Sequence, residues 1–333
     1  VGGGTPTLMN ETLIKAINTL KSFCSIEKIA IETNPEEINK HVLEKLREMG
    51  CNLISLGIQD FNKKYLNLIG RQYSPDTALD AIRNTKAAGF ETVNIDLIFA
   101  YPGQSLRELN DTLDKAIACD VDQITLYPLF TFPYSSIGKF NRAKKIILPD
   151  AVLRKRFYFK IIEKLNANGY HQISVWGFLK SGSTKYSSVT RDYYLGLGPS
   201  AATYTGKQFL FNSFNLAYYQ KQIELRKLPY SLIMNVSENL QKLFWIYWRF
   251  YETAIPLKAY KQLFRSEFKK DFGKILFALK VLGYAKNNDG RITLNKKGTH
   301  RIHLWQNYFA LNYVNQIWSI SHEKSNPKLI QLQ

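Results

Sequence analysis

Glu32, Gln59 and Asp96 are the residues of this sequence whose type and placement point most directly to chemistry. Each lies in or at the end of a short apolar run: 28–33, 53–58 and 92–99. A fourth run, 123–129, ends near Tyr127 and Phe130. A carboxylate buried without a partner is costly, so Glu32 and Asp96 should each meet a cation or several donors. Polar groups on three neighbouring strands would converge on one mouth, whereas any one of them alone could equally be a strand end facing solvent. Ahead of them stands Val1-Gly2-Gly3-Gly4-Thr5-Pro6-Thr7. Three glycines in a row let the backbone approach a ligand and offer unshielded amides and carbonyls, although a glycine run by itself also suits a flexible leader. Arg71, in Gly70-Arg71-Gln72, can grip a carboxylate in two-pronged fashion.

The elements that would position these groups alternate. The runs 28–33, 53–58, 92–99, 123–129 and 172–177 are rich in Ile, Leu, Val or Tyr and predict strands. Between them, helices have legible ends. Asn34-Pro35-Glu36-Glu37 offers an N-cap, a proline at the first helical position and a capping-box glutamate, with Gly50 at the far end. Ser74-Pro75 and Ser105-Leu106-Arg107-Glu108 open two more, and a longer helix is expected from about 149 to 168. Strand–helix units of this kind imply parallel strands joined by right-handed crossovers. If they close toward a barrel, ligand-binding groups collect at the C-terminal strand ends. The expected fold class is therefore α/β.

Beyond about 180 the pattern changes, and three regions are expected: 1–180 as the strand–helix domain, 181–235 as a glycine- and tyrosine-rich connection, and 236–333 as a helical domain. The last contains expected helices at 236–252, 256–283 and 297–318, with a hairpin at 284–294 turning on Asn287-Asn288-Asp289-Gly290. Helix–hairpin–helix order there suggests a small winged-helix-like domain.

Composition is ordinary for a globular chain, at 45% hydrophobic and 22% charged residues. No window approaches a membrane span, and no secretory signal is visible. Cys24, Cys51 and Cys119 are far apart and form no CxxC or CxxxC spacing, so they read as reduced thiols of a cytoplasmic protein, with no metal site expected. The net charge of +18 favours acidic partners, or reflects a solvated lysine-rich surface.

Taken in order, the glycine loop, Ile31-Glu32-Thr33-Asn34-Pro35, Gly57-Ile58-Gln59-Asp60-Phe61, Gly70-Arg71-Gln72, Asn94-Ile95-Asp96-Leu97-Ile98 and Pro102-Gly103-Gln104 resemble the radical S-adenosylmethionine (SAM) enzymes of the oxygen-independent coproporphyrinogen III dehydrogenase and haem chaperone superfamily. The resemblance spans roughly 1–130. It implies a partial (β/α) barrel of radical SAM type and a SAM site. Gly3, Glu32 and Phe130 match positions that contact the cluster-bound SAM, and Gly4, Thr5, Gln59, Arg71 and Asp96 match those that hold a second SAM in some members. Chemically the match is apt: SAM offers an ammonium and a ribose diol to carboxylates, and a carboxylate to Arg71.

The family's CxxxCxxC loop, which holds a 4Fe-4S cluster upstream of the glycines, is absent from these 333 residues. The expectation is a truncated gene model or a chain needing a partner, with radical chemistry belonging to the parent protein and the chain inactive alone. As implied by the resemblance, the function is that of a radical SAM oxidoreductase-type protein acting on or binding a tetrapyrrole or another conjugated small molecule, served by an electron donor. A haem-binding trafficking protein and a two-SAM methyltransferase remain as alternatives. Gly169-Tyr170-His171-Gln172-Ile173-Ser174 fits the family, but Thr184 and Lys185 stand where the chaperone branch has a His-Asn pair. Haem is a further candidate ligand through His171 or through His300 and His303, which share one helical face. The aromatic run 244–251 reads as packing. Nucleic acid is disfavoured as a partner, because Leu304, Trp305, Tyr308 and Phe309 give the last helix a packed face.

Overall fold

A computed structural model describes residues 1–130, 146–187, 191–309 and 329–332. The chain divides into two compact units, Val1–Ser187 and Ser188–Gln333.

The first unit is built on a six-stranded sheet. Its strands are β1 (Ile29–Thr33), β2 (Cys51–Gln59), β3 (Thr92–Phe99), β4 (Gln123–Pro128), β5 (Tyr170–Gln172) and β6 (Gly177–Lys180), in the order β1-β2-β3-β4-β6-β5. The first four are parallel neighbours, each reached through helices, as the alternating sequence requires. The helices of this unit are α1 (Asn10–Phe23), α2 (Lys40–Glu48), α3 (Lys63–Leu68), α4 (Pro75–Ala87), α5 (Leu106–Ala118) and α6 (Ala151–Ala167). Ser74 caps α4 by accepting from Thr77 N at 3.1 Å, and Ser105 and Glu108 form the expected capping box of α5. Asp150 caps α6. Val1 lies against the outer edge of β1, where its carbonyl accepts from Glu32 N at 3.0 Å.

Register and alternation give the sheet two unlike faces. Glu32 pairs with Ser55, Ser55 with Asn94 and Asn94 with Gln123, while Asp96 pairs with Thr125. Paired residues in a parallel ladder point the same way, so these polar side chains line one face. Ile31, Ile54, Leu56, Ile95, Leu97, Ile124 and Leu126 line the other and are buried.

Two expectations about this unit are corrected. The run 172–177 is not one strand: β5 and β6 are antiparallel, and Ile173–Trp176 form the turn between them. Gly177 N donates to Ser174 Oγ at 2.8 Å, and a side chain on Gly177 would collide with that hydroxyl. The helix expected to start at Asn34-Pro35 is a single 3₁₀ turn, Pro35–Glu37, and α2 begins later with Asn39 as cap, accepting from Val42 N at 3.0 Å. Asn34 caps nothing because its amide is engaged elsewhere.

The second unit starts with strands in the stretch expected to be a connection: β7 (Ala202–Tyr204), β8 (Gln208–Asn212) and β9 (Tyr230–Val236), with α7 (Leu216–Glu224) between the last two. Next come α8 (Glu238–Tyr251), β10 (Ala254–Pro256), α9 (Leu257–Phe264), α10 (Phe268–Val281), β11 (Ala285–Asn288), β12 (Arg291–Leu294) and α11 (Lys296–Phe309). A final strand, β13 (Leu329–Leu332), runs parallel to β9. The single helix expected over 256–283 is two, broken at Arg265, whose φ is +51°. The expected last helix is described only as far as 309. The succession α8, β10, α9, α10 and the β11–β12 hairpin is winged-helix order, with β10 completing a three-stranded sheet. Its core is Trp245, Phe250, Ile255, Tyr260, Phe268, Phe272 and Leu279, so part of the aromatic run is interior packing.

Candidate functional site

On the polar face of the first unit, Asn94 is fully buried and central. Its Nδ2 donates to Ser55 Oγ at 2.7 Å and to Asp96 Oδ1 at 3.0 Å, and its Oδ1 accepts from Thr125 Oγ1 at 2.8 Å. Ser55 Oγ donates to Asp96 Oδ2 at 2.9 Å. Both Asp96 oxygens are thus held by neutral donors. Burial pushes its carboxyl up to about 6, the bonds from Ser55 and Asn94 pull it down, and the charge of Glu32 adds an upward push. Glu32 and Asp96 are thus two carboxylates on one face that feel one another, an arrangement that a cation or several hydroxyl or ammonium donors would relieve.

Glu32 lies at the same end of the sheet. Its Oε1 accepts from Tyr186 OH at 2.8 Å, and a side chain on Gly2 would meet its Oε2. The opening glycine loop therefore passes directly over this carboxylate. Gly3 and Gly4 have φ of +86° and +66°, which only glycine adopts without cost.

A second cluster gathers beside β1 and β2. Asn34 Nδ2 donates to Thr5 Oγ1 at 2.8 Å, and Arg71 Nη1 donates to Asn34 Oδ1 at 3.2 Å. A methyl group at Gly57 would come within 2.8 Å of Gln59 Nε2 and 3.3 Å of Asn34 Oδ1, so the Gln59 and Asn34 amides share the space above that glycine. Thr5, Asn34, Arg71 and Gln59 therefore assemble around Gly57, two residues along β2 from Ser55. Phe130, two residues past the end of β4, packs on Tyr127 with ring centroids 6.3 Å apart.

Of the residues singled out from sequence, Glu32 and Asp96 thus share one electrostatic neighbourhood. Thr5, Gln59 and Arg71 share the other, while Gly3 and Gly4 shape the loop that leads to Thr5. Ser55, Asn94, Thr125, Tyr186 and Asn34 were not singled out as site residues. Four of them had a readable signal. Ser55, Asn94 and Thr125 are polar residues at alternate positions inside strands otherwise made of Ile, Leu and Val. Asn34 is a good capping residue that caps nothing. Tyr186 lies far along the chain from Glu32 and carried no local signal.

The cysteines do not fit an iron–sulfur cluster. Cys51 is buried in β2, and burial pushes its thiol up to about 11; Cys24 is exposed at the end of α1; Cys119 follows α5. Among the described residues no three His, Cys, Asp or Glu side chains are grouped to hold a metal ion. No helix among them is long and apolar enough to cross a membrane.

Residues 1–116 match the family model described as the Radical SAM superfamily. The chain is 25% identical over 307 residues to "Heme chaperone HemW" of Bacillus subtilis (strain 168), covering 90% of this chain and 81% of that protein. It is 28% identical over 244 residues to "Oxygen-independent coproporphyrinogen III oxidase" of Salmonella typhimurium, covering 68% of this chain and 53% of that one. Among solved structures, coproporphyrinogen III oxidase (HemN) from Escherichia coli superposes with a TM-score of 0.74 at 22% identity, over 92% of this chain and 76% of that one, which establishes a common fold. Residues 1–116 thus match the Radical SAM superfamily, the fold is that of HemN, and the chain is similar to proteins named heme chaperone HemW and oxygen-independent coproporphyrinogen III oxidase.

Proposed function

We propose that the polar face of the first unit binds SAM and that the chain serves a tetrapyrrole, as a radical SAM oxidoreductase-type protein related to coproporphyrinogen III oxidase. The observation that carries this reading is the pair of carboxylates, Glu32 beneath the glycine loop and Asp96 within reach of its charge, on a face whose other members are neutral donors and acceptors. Glu32 and Asp96 accept from the ammonium or the ribose hydroxyls. Arg71 pairs with the SAM carboxylate, and Gln59 donates and accepts beside it. The backbone of Gly3, Gly4 and Thr5 lies along the amino-acid end. Bound SAM supplies an activated sulfonium carbon. The residues of this chain orient it and exclude water. Cys24, Cys51 and Cys119 do not fit an iron–sulfur cluster, so this role is confined to binding and orienting SAM.

A second reading, that the chain binds haem for delivery, is favoured by coverage. The relative named heme chaperone HemW is matched over 81% of its length, against 53% for the relative named coproporphyrinogen III oxidase. Titration of the chain with SAM, and separately with haem followed by its Soret band, separates the two. Saturable SAM binding with no haem spectrum supports the first reading. A stoichiometric Soret shift that SAM does not alter supports the second. Binding of neither ligand removes both.

A further inference from the structure

The end of β2 carries an unusual backbone. Gln59 has φ of +64°, and Asp60 N donates to Ile58 O at 2.8 Å across it. A hydrogen bond that spans one residue with positive φ is the rare, strained form of γ-turn. A non-glycine residue persists there only where its surroundings over-determine it. Three buried groups do so. Tyr73 OH donates to Ile58 O at 2.8 Å and to Gly57 O at 3.1 Å. Tyr101 OH donates to Gln59 O at 3.4 Å, and its ring stacks on Tyr65 at 4.5 Å with an interplanar angle of 12°. Asp60, fully buried, accepts on Oδ1 from Asn62 N at 2.9 Å and from Thr112 Oγ1 at 3.1 Å, while its Oδ2 has no hydrogen-bond partner. Tyr101 is itself fixed: the preceding Ala100 has φ of +62°, and Gln104 Oε1 accepts from Ala100 N at 2.7 Å and from Tyr101 N at 3.3 Å.

A buried carboxylate with one unmatched oxygen and two buried hydroxyls spent on adjacent peptides are a poor way to stabilise a core. They are a good way to fix one peptide. The product of the turn is the position of the Gln59 amide, folded back over Gly57 beside Asn34, where a side chain on Gly57 would collide with it. We infer that Tyr73, Tyr101 and Asp60 are positioning residues that hold the strained Gln59 turn so that its amide is presented to the bound nucleoside. This inference rests on the SAM reading of the site.

The test is a double-mutant cycle on the full chain, reading melting temperature and SAM affinity by calorimetry. Gln59→Gly relieves the positive φ and removes the amide, so it should raise Tm by about 2–4 °C while weakening SAM binding about tenfold. Tyr101→Phe and Tyr73→Phe should each weaken binding several-fold in the wild-type background and add nothing in the Gln59→Gly background. Equal effects of the Tyr variants in both backgrounds, or none in either, would overturn the positioning role. A fall in Tm on Gln59→Gly would overturn the strained turn. A wild-type chain that fails to bind SAM, with the Tm rise intact, would instead overturn the SAM reading and leave the strained turn supported.

Discussion

The two faces of one sheet in the first unit are built from the same parallel strands, β1 to β4, and follow opposite rules. On the outer face, Ile31, Ile54, Leu56, Ile95, Leu97 and Ile124 are buried and apolar, which is how a sheet earns its stability against covering helices. On the inner face, Ser55, Asn94, Asp96 and Thr125 bond one another around a carboxylate whose ionisation burial opposes, and Glu32 adds its charge nearby. A barrel interior with only a structural task is filled with branched aliphatics. The outer face holds the fold, and the inner face, which departs from that rule, is the one proposed here to take a ligand.

The largest effect separates the faces outright. Leu56→Ala should cost about 2–5 kcal/mol of unfolding free energy, measured by urea denaturation, because it opens a cavity among close-packed neighbours. Its SAM affinity, measured where the variant remains folded, should be unchanged. Asn94→Ala should cost less, about 1–3 kcal/mol, from the donors and acceptors it orphans, yet it should also weaken SAM binding by loosening Asp96. Equal binding by both variants would erase the distinction.

Acidity sharpens the comparison further. Asp60 and Asp96 are both held near 6 by burial, above the ordinary value of 3.8. A carboxyl raised in the folded state contributes stability that is full below about 3.8 and lost as pH rises through about 6. The chain should therefore melt higher at pH 5 than at pH 7, and the Asp60→Asn/Asp96→Asn double variant should flatten that difference. At the small end, Lys28→Ala breaks an exposed pair with Glu91 and should leave the urea-denaturation midpoint nearly unchanged.

Much of this was legible in the sequence, and the failures are instructive. β1 to β4 and the caps of α4 and α5 follow from local pattern, since period, proline and capping chemistry all agree there. The start of α2 misleads because Asn34, a good cap by type, is taken by Thr5 and Arg71, so a local rule gives way where the site makes its own demand. β5 and β6 merge in the sequence because Ile173 to Trp176 has neither asparagine nor glycine to mark a turn; the reversal depends on Gly177 meeting Ser174. The strands β7, β8 and β9 are hidden because aromatic and polar residues mix along them without clear alternation, and their partners are distant. The tie from Glu32 to Tyr186 crosses most of the first unit, and no window can reveal such a contact.

The central claim, that Glu32 and Asp96 face one nucleoside-sized ligand, is tested most directly by titrating SAM into the wild-type chain and into Glu32→Ala and Asp96→Ala. Saturable binding by the wild type, weakened about tenfold or more in each variant with folding preserved, is the predicted result. Undiminished affinity in both variants would contradict it.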